Sequence, residues 1–94
     1  MQFSHFDLGR LLEGQIVEIV LEGNAANVRL MDDIHYNRFK NGLREYQFVG
    51  GHATTSPIRL KTPHDGHWHV TIDFGGNGGR GKCAVRLLSN LPEL

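Results

Sequence analysis

The chain is short of the features by which small proteins are most readily classified. A single cysteine, Cys83, in 94 residues rules out an internal disulfide. The fold must hold without covalent staples, as in a reducing compartment. No charge of either sign is in excess, since ten Lys and Arg balance ten Asp and Glu. The broad positive field expected of a nucleic-acid binder is absent, and a polyanionic partner is disfavoured. No run approaches the ~20 apolar residues of a membrane-spanning helix. The first residues, Met1 to Asp7, lack the charged and apolar regions of a secretory signal. Together these absences lead us to expect a cytoplasmic chain with no membrane and no nucleic-acid partner.

Catalytic signatures are missing as well. There is no GxSxG nucleophile elbow, no HExxH or CxxC ligand run, and no phosphate loop ending in Gly-Lys-Ser/Thr. Ser56, Thr54 and Thr55 lie near His52, with Asp65 or Asp73 as conceivable orienting groups, but no motif joins them. We therefore expect no catalytic residues, no cofactor and no enzymatic activity.

What is abundant is glycine, twelve of 94 residues, nearly twice the usual ~7%. At that density glycine supplies turns and bulges between short strands. Gln15 to Glu22 is rich in β-branched residues and sets Val17, Ile19 and Leu21 on one face. Gly23-Asn24 then reads as the turn of a hairpin to a second strand, Asn27 to Asp32. Asp32 is placed to cap one or two helical turns, with Tyr36 and Phe39 three apart, Asn41-Gly42 as the stop and Phe39 anchoring the helix across a sheet edge. Leu43 to Val49 alternates and reads as a strand; His52 to Ser56 reads as a loop. Ile58 to Thr62 and Lys82 to Leu88 complete the set, the latter with Cys83, Val85 and Leu87 together. Gln2 to Leu12 gives a short first strand and then a turn through Arg10 to Leu12. Residues 89–94 are expected to fray.

The clearest pattern lies between Pro63 and Gly81. A Pro-His-Asp-Gly turn leads into a strand that splits by parity. Trp68, Val70, Ile72 and Phe74 form an apolar face; His67, His69, Thr71 and Asp73 form a polar one. Six to seven short strands at about ten-residue spacing, with one short helix, predict a single all-β domain. Its architecture should be a small antiparallel β-sandwich, jelly-roll-like or a partly closed barrel.

Several phrases carry a resemblance: Phe6 to Gly9, Gly23 to Asp32, Gly50-Gly51, and Gly66 to Gly76. In this order they resemble the bacterial family called domain of unknown function 1883, from about Phe3 to Leu88. The resemblance implies a small all-β fold found alone or beside signalling modules such as a TIR domain. It implies no established activity and no catalytic residues. At the position of His69 the family's phrase looks more often tyrosine-like.

Function then rests on the polar face and its adjoining loops. The leading expectation is a non-catalytic binding module that engages a protein partner or a small ligand. Its candidate contacts are His67, His69, Thr71, Asp73, His52, Asn77 and Arg80, and its edge strands suit a homodimer. The alternative is a metal- or anion-binding site on His67, His69 and Asp73, with an enzymatic role as one version of it. Residues i and i+2 on one strand face stand about 7 Å apart, near enough for two imidazoles to meet one ion. Asp73 would join only if the strand bends, with His5, His52 and His64 as further donors. Carbohydrate binding is a weaker alternative, because Trp68, the obvious stacking platform, has the parity of the core.

Overall fold

A computed structural model of the chain describes residues 2–75 and 81–88. Seven strands and one helix follow in the order β1 (Ser4–Leu11), β2 (Ile16–Gly23), β3 (Ala26–Asp32), α1 (Asp33–Lys40), β4 (Val49–Ala53), β5 (Ile58–Lys61), β6 (Gly66–Asp73) and β7 (Gly81–Leu88). They form two antiparallel sheets, one ordered β1-β6-β3-β4 and the other β5-β2-β7. The sheets stack as a sandwich and do not close into a barrel.

Parity explains the core. Trp68, Val70 and Ile72 of β6, with Ala26, Val28 and Leu30 of β3, face Val17 and Ile19 of β2, and all are buried. Ile58, Leu60, Cys83 and Val85 pack onto this cluster from the flanking strands of the second sheet. Each fully buried Val, Leu or Ile contributes about 1.5–3 kcal/mol relative to exposure, so the paired faces hold the domain together. Leu87 shares the parity of Cys83 and Val85 but is exposed, near the end of an edge strand.

The helix begins where its cap dictates. Asp32 Oδ1 accepts from the His35 N–H at 3.1 Å, and the helix stops at Asn41, followed by Gly42 in the left-handed region. It lies on the outer face of the four-stranded sheet, against β3 and β6, and not across an edge. Its buried residues Tyr36 and Phe39 join Met31 of β3 in a second apolar cluster, with Phe3 and Tyr46 packed against it. The molecule thus has three layers: sheet, sheet and a one-helix cover.

Four further expectations are corrected. The segment β2 does not form a hairpin with β3; the two belong to different sheets, and the positive φ of Gly23 turns the chain from one layer to the other. Leu43 to Phe48 is not a strand. Its alternating aromatics serve the cover layer, Tyr46 meeting Phe39 edge-on at 5.3 Å and Phe48 at 5.9 Å. The strand begins at Val49 and takes in Gly50, Gly51 and His52, so His52 pairs with Asn27 in the ladder and is not in a loop. Gly50 has no substitute there, since at φ +124° a Cβ would stand 2.4 Å from the Val28 carbonyl oxygen. Finally, β1 runs on through Arg10 and Leu11, with a bulge between Asp7 and Gly9 that Gly9 accommodates at φ +72°.

Candidate functional site

As a central strand, β6 carries its polar row beneath the cover layer. His69, Thr71 and Asp73 are buried, and only His67 reaches solvent substantially. The row divides into two ends.

At the far end, Asp73 is enclosed in a hydrogen-bond network, in which the buried Arg29 Nε has no partner among the described residues. Its carboxylate accepts from Arg29 Nη1 at 2.9 Å, from Asn27 Nδ2 at 3.0 Å and from the Gly75 N–H at 3.2 Å. His52 Nδ1 meets Asn27 Oδ1 at 3.2 Å and extends the network to β4. The Arg29 guanidinium lies over Phe39 and Phe48, at 5.0 and 5.6 Å from their ring centres. Asp73 therefore belongs to Arg29 and is not a partner of the two strand histidines. Thr71 sits between the ends, fully buried, and its hydroxyl has no hydrogen-bond partner among the described residues.

The near end gathers groups from three elements. The β1 register sets Asp7 opposite His69 and His5 opposite Thr71, so both side chains share the outer face with the β6 row. His67 Nε2 meets Asp7 Oδ1 at 2.6 Å. His69 Nε2 donates to Asp33 Oδ1 from the first turn of α1 in a very short hydrogen bond. Because a carboxylate only accepts, this fixes the polarity of a chain. With Nε2 donating, His69 Nδ1 is the acceptor for His5 Nε2, 2.9 Å away, and His5 Nδ1 in turn accepts from the Tyr36 hydroxyl at 3.3 Å. The rings also stack: Tyr36 lies 4.3 Å from His5 and 4.4 Å from His69, and His67 lies 4.9 Å from His69.

The surroundings act on two of these groups. Desolvation, then the neighbouring His69 ring, lowers the pKa of His5. The Gly9 N–H, donating to Asp7 Oδ1 at 2.9 Å, and then His67 hold the Asp7 carboxyl below its usual range.

Sequence reasoning found His67 and His69 but missed Asp7, Asp33 and Tyr36 as their neighbours. The alternation of Phe3, His5 and Asp7 placed Asp7 on one face; only the register with a strand some sixty residues away shows which partner that face meets. Asn77 and Arg80 lie outside the described residues.

A separate cleft of about 230 Å³ opens on the other side of the α1 N-terminus. Leu30, Val49 and Trp68 floor it, Phe48 and Pro63 wall it, and Asp32, His35, Gln47 and His64 stand at its rim. The Trp68 indole N–H donates to the His64 carbonyl at 3.1 Å, which fixes the ring as part of the floor. His35 accepts at Nδ1 from the Gln47 N–H at 3.0 Å, and so keeps Nε2–H as a free donor. The Asp32 carboxylate, with His64 Nε2 3.5 Å away, supplies the acceptor. A wider, more open hollow of about 570 Å³ lies near Phe3, Asp73 and Gly75.

A family model matches residues 1–90; its description is "Domain of unknown function (DUF1883)". No curated protein and no solved structure matches the chain.

Proposed function

Starting from the fact that the chain belongs to the DUF1883 family, we propose that it is a non-catalytic binding module that engages a protein partner through the cleft beside α1. The partner inserts one apolar or aromatic side chain. The observation that carries this reading is the cleft itself: a Trp68 floor, an exposed Phe48 wall, and one donor and one acceptor at the rim. At about 230 Å³ it is smaller than the ~300–1,000 Å³ usual for drug-sized ligands. That size suits a single anchoring side chain of the kind that dominates protein interfaces.

The hydroxyl and thiol chemistry supports a non-catalytic role. Ser56 Oγ accepts from the Leu21 N–H at 2.8 Å, Thr62 Oγ1 donates to the Leu12 carbonyl at 2.6 Å, and Cys83 packs against the core. Among the described residues no Ser, Thr or Cys side chain is hydrogen-bonded to a histidine.

Selection from a random peptide library on the immobilised chain tests the proposal. Enriched peptides should share an aromatic or large aliphatic residue, and Gln47→Trp or Phe48→Ala should abolish their binding while the melting temperature holds. Failure to enrich any sequence, or binding indifferent to both substitutions, would overturn it. If light scattering shows mass rising with concentration and Phe48→Ala prevents it, the partner is a second copy of the chain.

A further inference from the structure

We propose that Asp7, His67 and His69 form a binding site for a divalent first-row transition ion, zinc being the reference. This rests on the near end of the β6 row and shares no residue with the cleft, so either proposal stands or fails without the other.

Donor chemistry comes first. Two imidazoles and one carboxylate are the ligand set of open zinc sites, which keep a further position for water or an exogenous group. One ligand atom from each of these three residues lies within 4.8 Å of the others. Two of the residues are on β6 and the third on β1, strands paired in register at this point. Their backbones are therefore already fixed at the separation the site needs.

The second observation concerns His69. Metal-bound histidines almost always donate their other ring N–H to a carboxylate or carbonyl, which fixes the tautomer and raises basicity. Asp33 already does this: it holds His69 Nε2–H and leaves Nδ1 as the lone-pair donor. That nitrogen faces His5 Nε2, so an ion bound there displaces the hydrogen bond from His5. His5 is thus a competitor for the site and not a ligand.

One movement is required. The rings of His67 and His69 lie 4.9 Å apart with an interplanar angle of 23°, so their lone pairs point along nearly parallel planes and do not converge. His69 is buried and held; His67 is 41% exposed and bound only to the exposed Asp7. Binding turns His67 out of the stack, and its Nε2 exchanges a hydrogen bond to Asp7 for a shared ion. Asp73 takes no part, being held by Arg29 and Asn27.

Titration of the chelator-treated chain with zinc chloride, followed by calorimetry, tests the site. Cobalt chloride in its place reports nitrogen and oxygen ligation through its visible spectrum. One equivalent should bind. Asp33→Asn should weaken binding about 10- to 100-fold, as loss of an outer-shell partner does, and His67→Ala or Asp7→Ala should weaken it further. His5→Ala should preserve or strengthen it. Both His67 and Asp7 are exposed, so their variants report on binding without the folding risk of His69→Ala. No saturable binding, or one-equivalent binding that survives both His67→Ala and Asp7→Ala, would overturn the proposal.

Discussion

The two ends of the β6 polar row share a strand, a parity and a sheet face, yet they are opposite kinds of site. At the Asp73 end every strong acceptor is met by a fixed donor, and a full positive charge is paired under the cover layer. At the histidine end imidazoles are linked to two carboxylates and a phenol, and two members, Asp7 and His67, stand in solvent. The comparison teaches that a polar strand face is not functional as a unit. Charge-assisted bonds to a buried carboxylate hold one end, whereas incomplete coverage leaves the other in contact with solvent.

This contrast can be broken most forcefully at Asp73. Replacing Asp73 by Ala strands the Arg29 guanidinium under Phe39 and Phe48, and chemical denaturation should show a loss of about 3–5 kcal/mol. A loss below about 1 kcal/mol would mean that the two ends are equivalent. Between them, Thr71→Val removes a buried hydroxyl that has no partner among the described residues. Urea denaturation should show stability unchanged or raised by up to about 1 kcal/mol, because replacing an unmet polar group with an apolar one of the same shape is neutral or stabilising. At the open end, His67→Ala in metal-free buffer should move stability by no more than about 1 kcal/mol. A larger fall would show that the His67–Asp7 pair is structural after all.

The other sheet provides the control for pH. Glu18 of β2 lies directly opposite Arg86 and Arg59 and accepts from them at 2.5 and 3.0 Å. The Arg86 hydrogen bond leads in lowering its pKa below the ordinary 4.5. A carboxyl with a lowered folded-state pKa adds stability that is present above its unfolded value and is lost as the pH falls through the folded one. Thermal melts recorded downward from pH 5 should therefore show an acid limb that Glu18→Gln flattens and Thr71→Val, which touches no titrating group, leaves unchanged.

Much of this arrangement was legible in the sequence, and the illegible part has one cause. The inward set Trp68, Val70 and Ile72, the β2 face of Val17 and Ile19, the Asp32 cap and the Phe39 anchor all follow from spacing along a single segment. Periodicity states which face a residue takes but not which strand lies beside it. The pairings of β1 with β6 and β2 with β7 were therefore invisible, and with them Asp7 beside His67, Asp33 beside His69 and the layer change at Gly23. The aromatics Tyr46 and Phe48 misled for a related reason, since alternation suits a cover over a helix as well as a strand in a ladder.

The turn at Gly23 also bears on the order in which the protein can fold. By sending β2 and β3 into different sheets it denies the N-terminal half its one nearby hairpin, so β1 must wait for β6 and β2 for β5 and β7. A chain whose strands find partners mainly at long sequence separation closes large loops before it gains contacts, and domains of this kind fold in roughly milliseconds to seconds. During synthesis the Val and Ile side chains of β2 stay unpaired until β5 and β7 emerge, and protection of β2 should appear later than that of the β3–β4 pair.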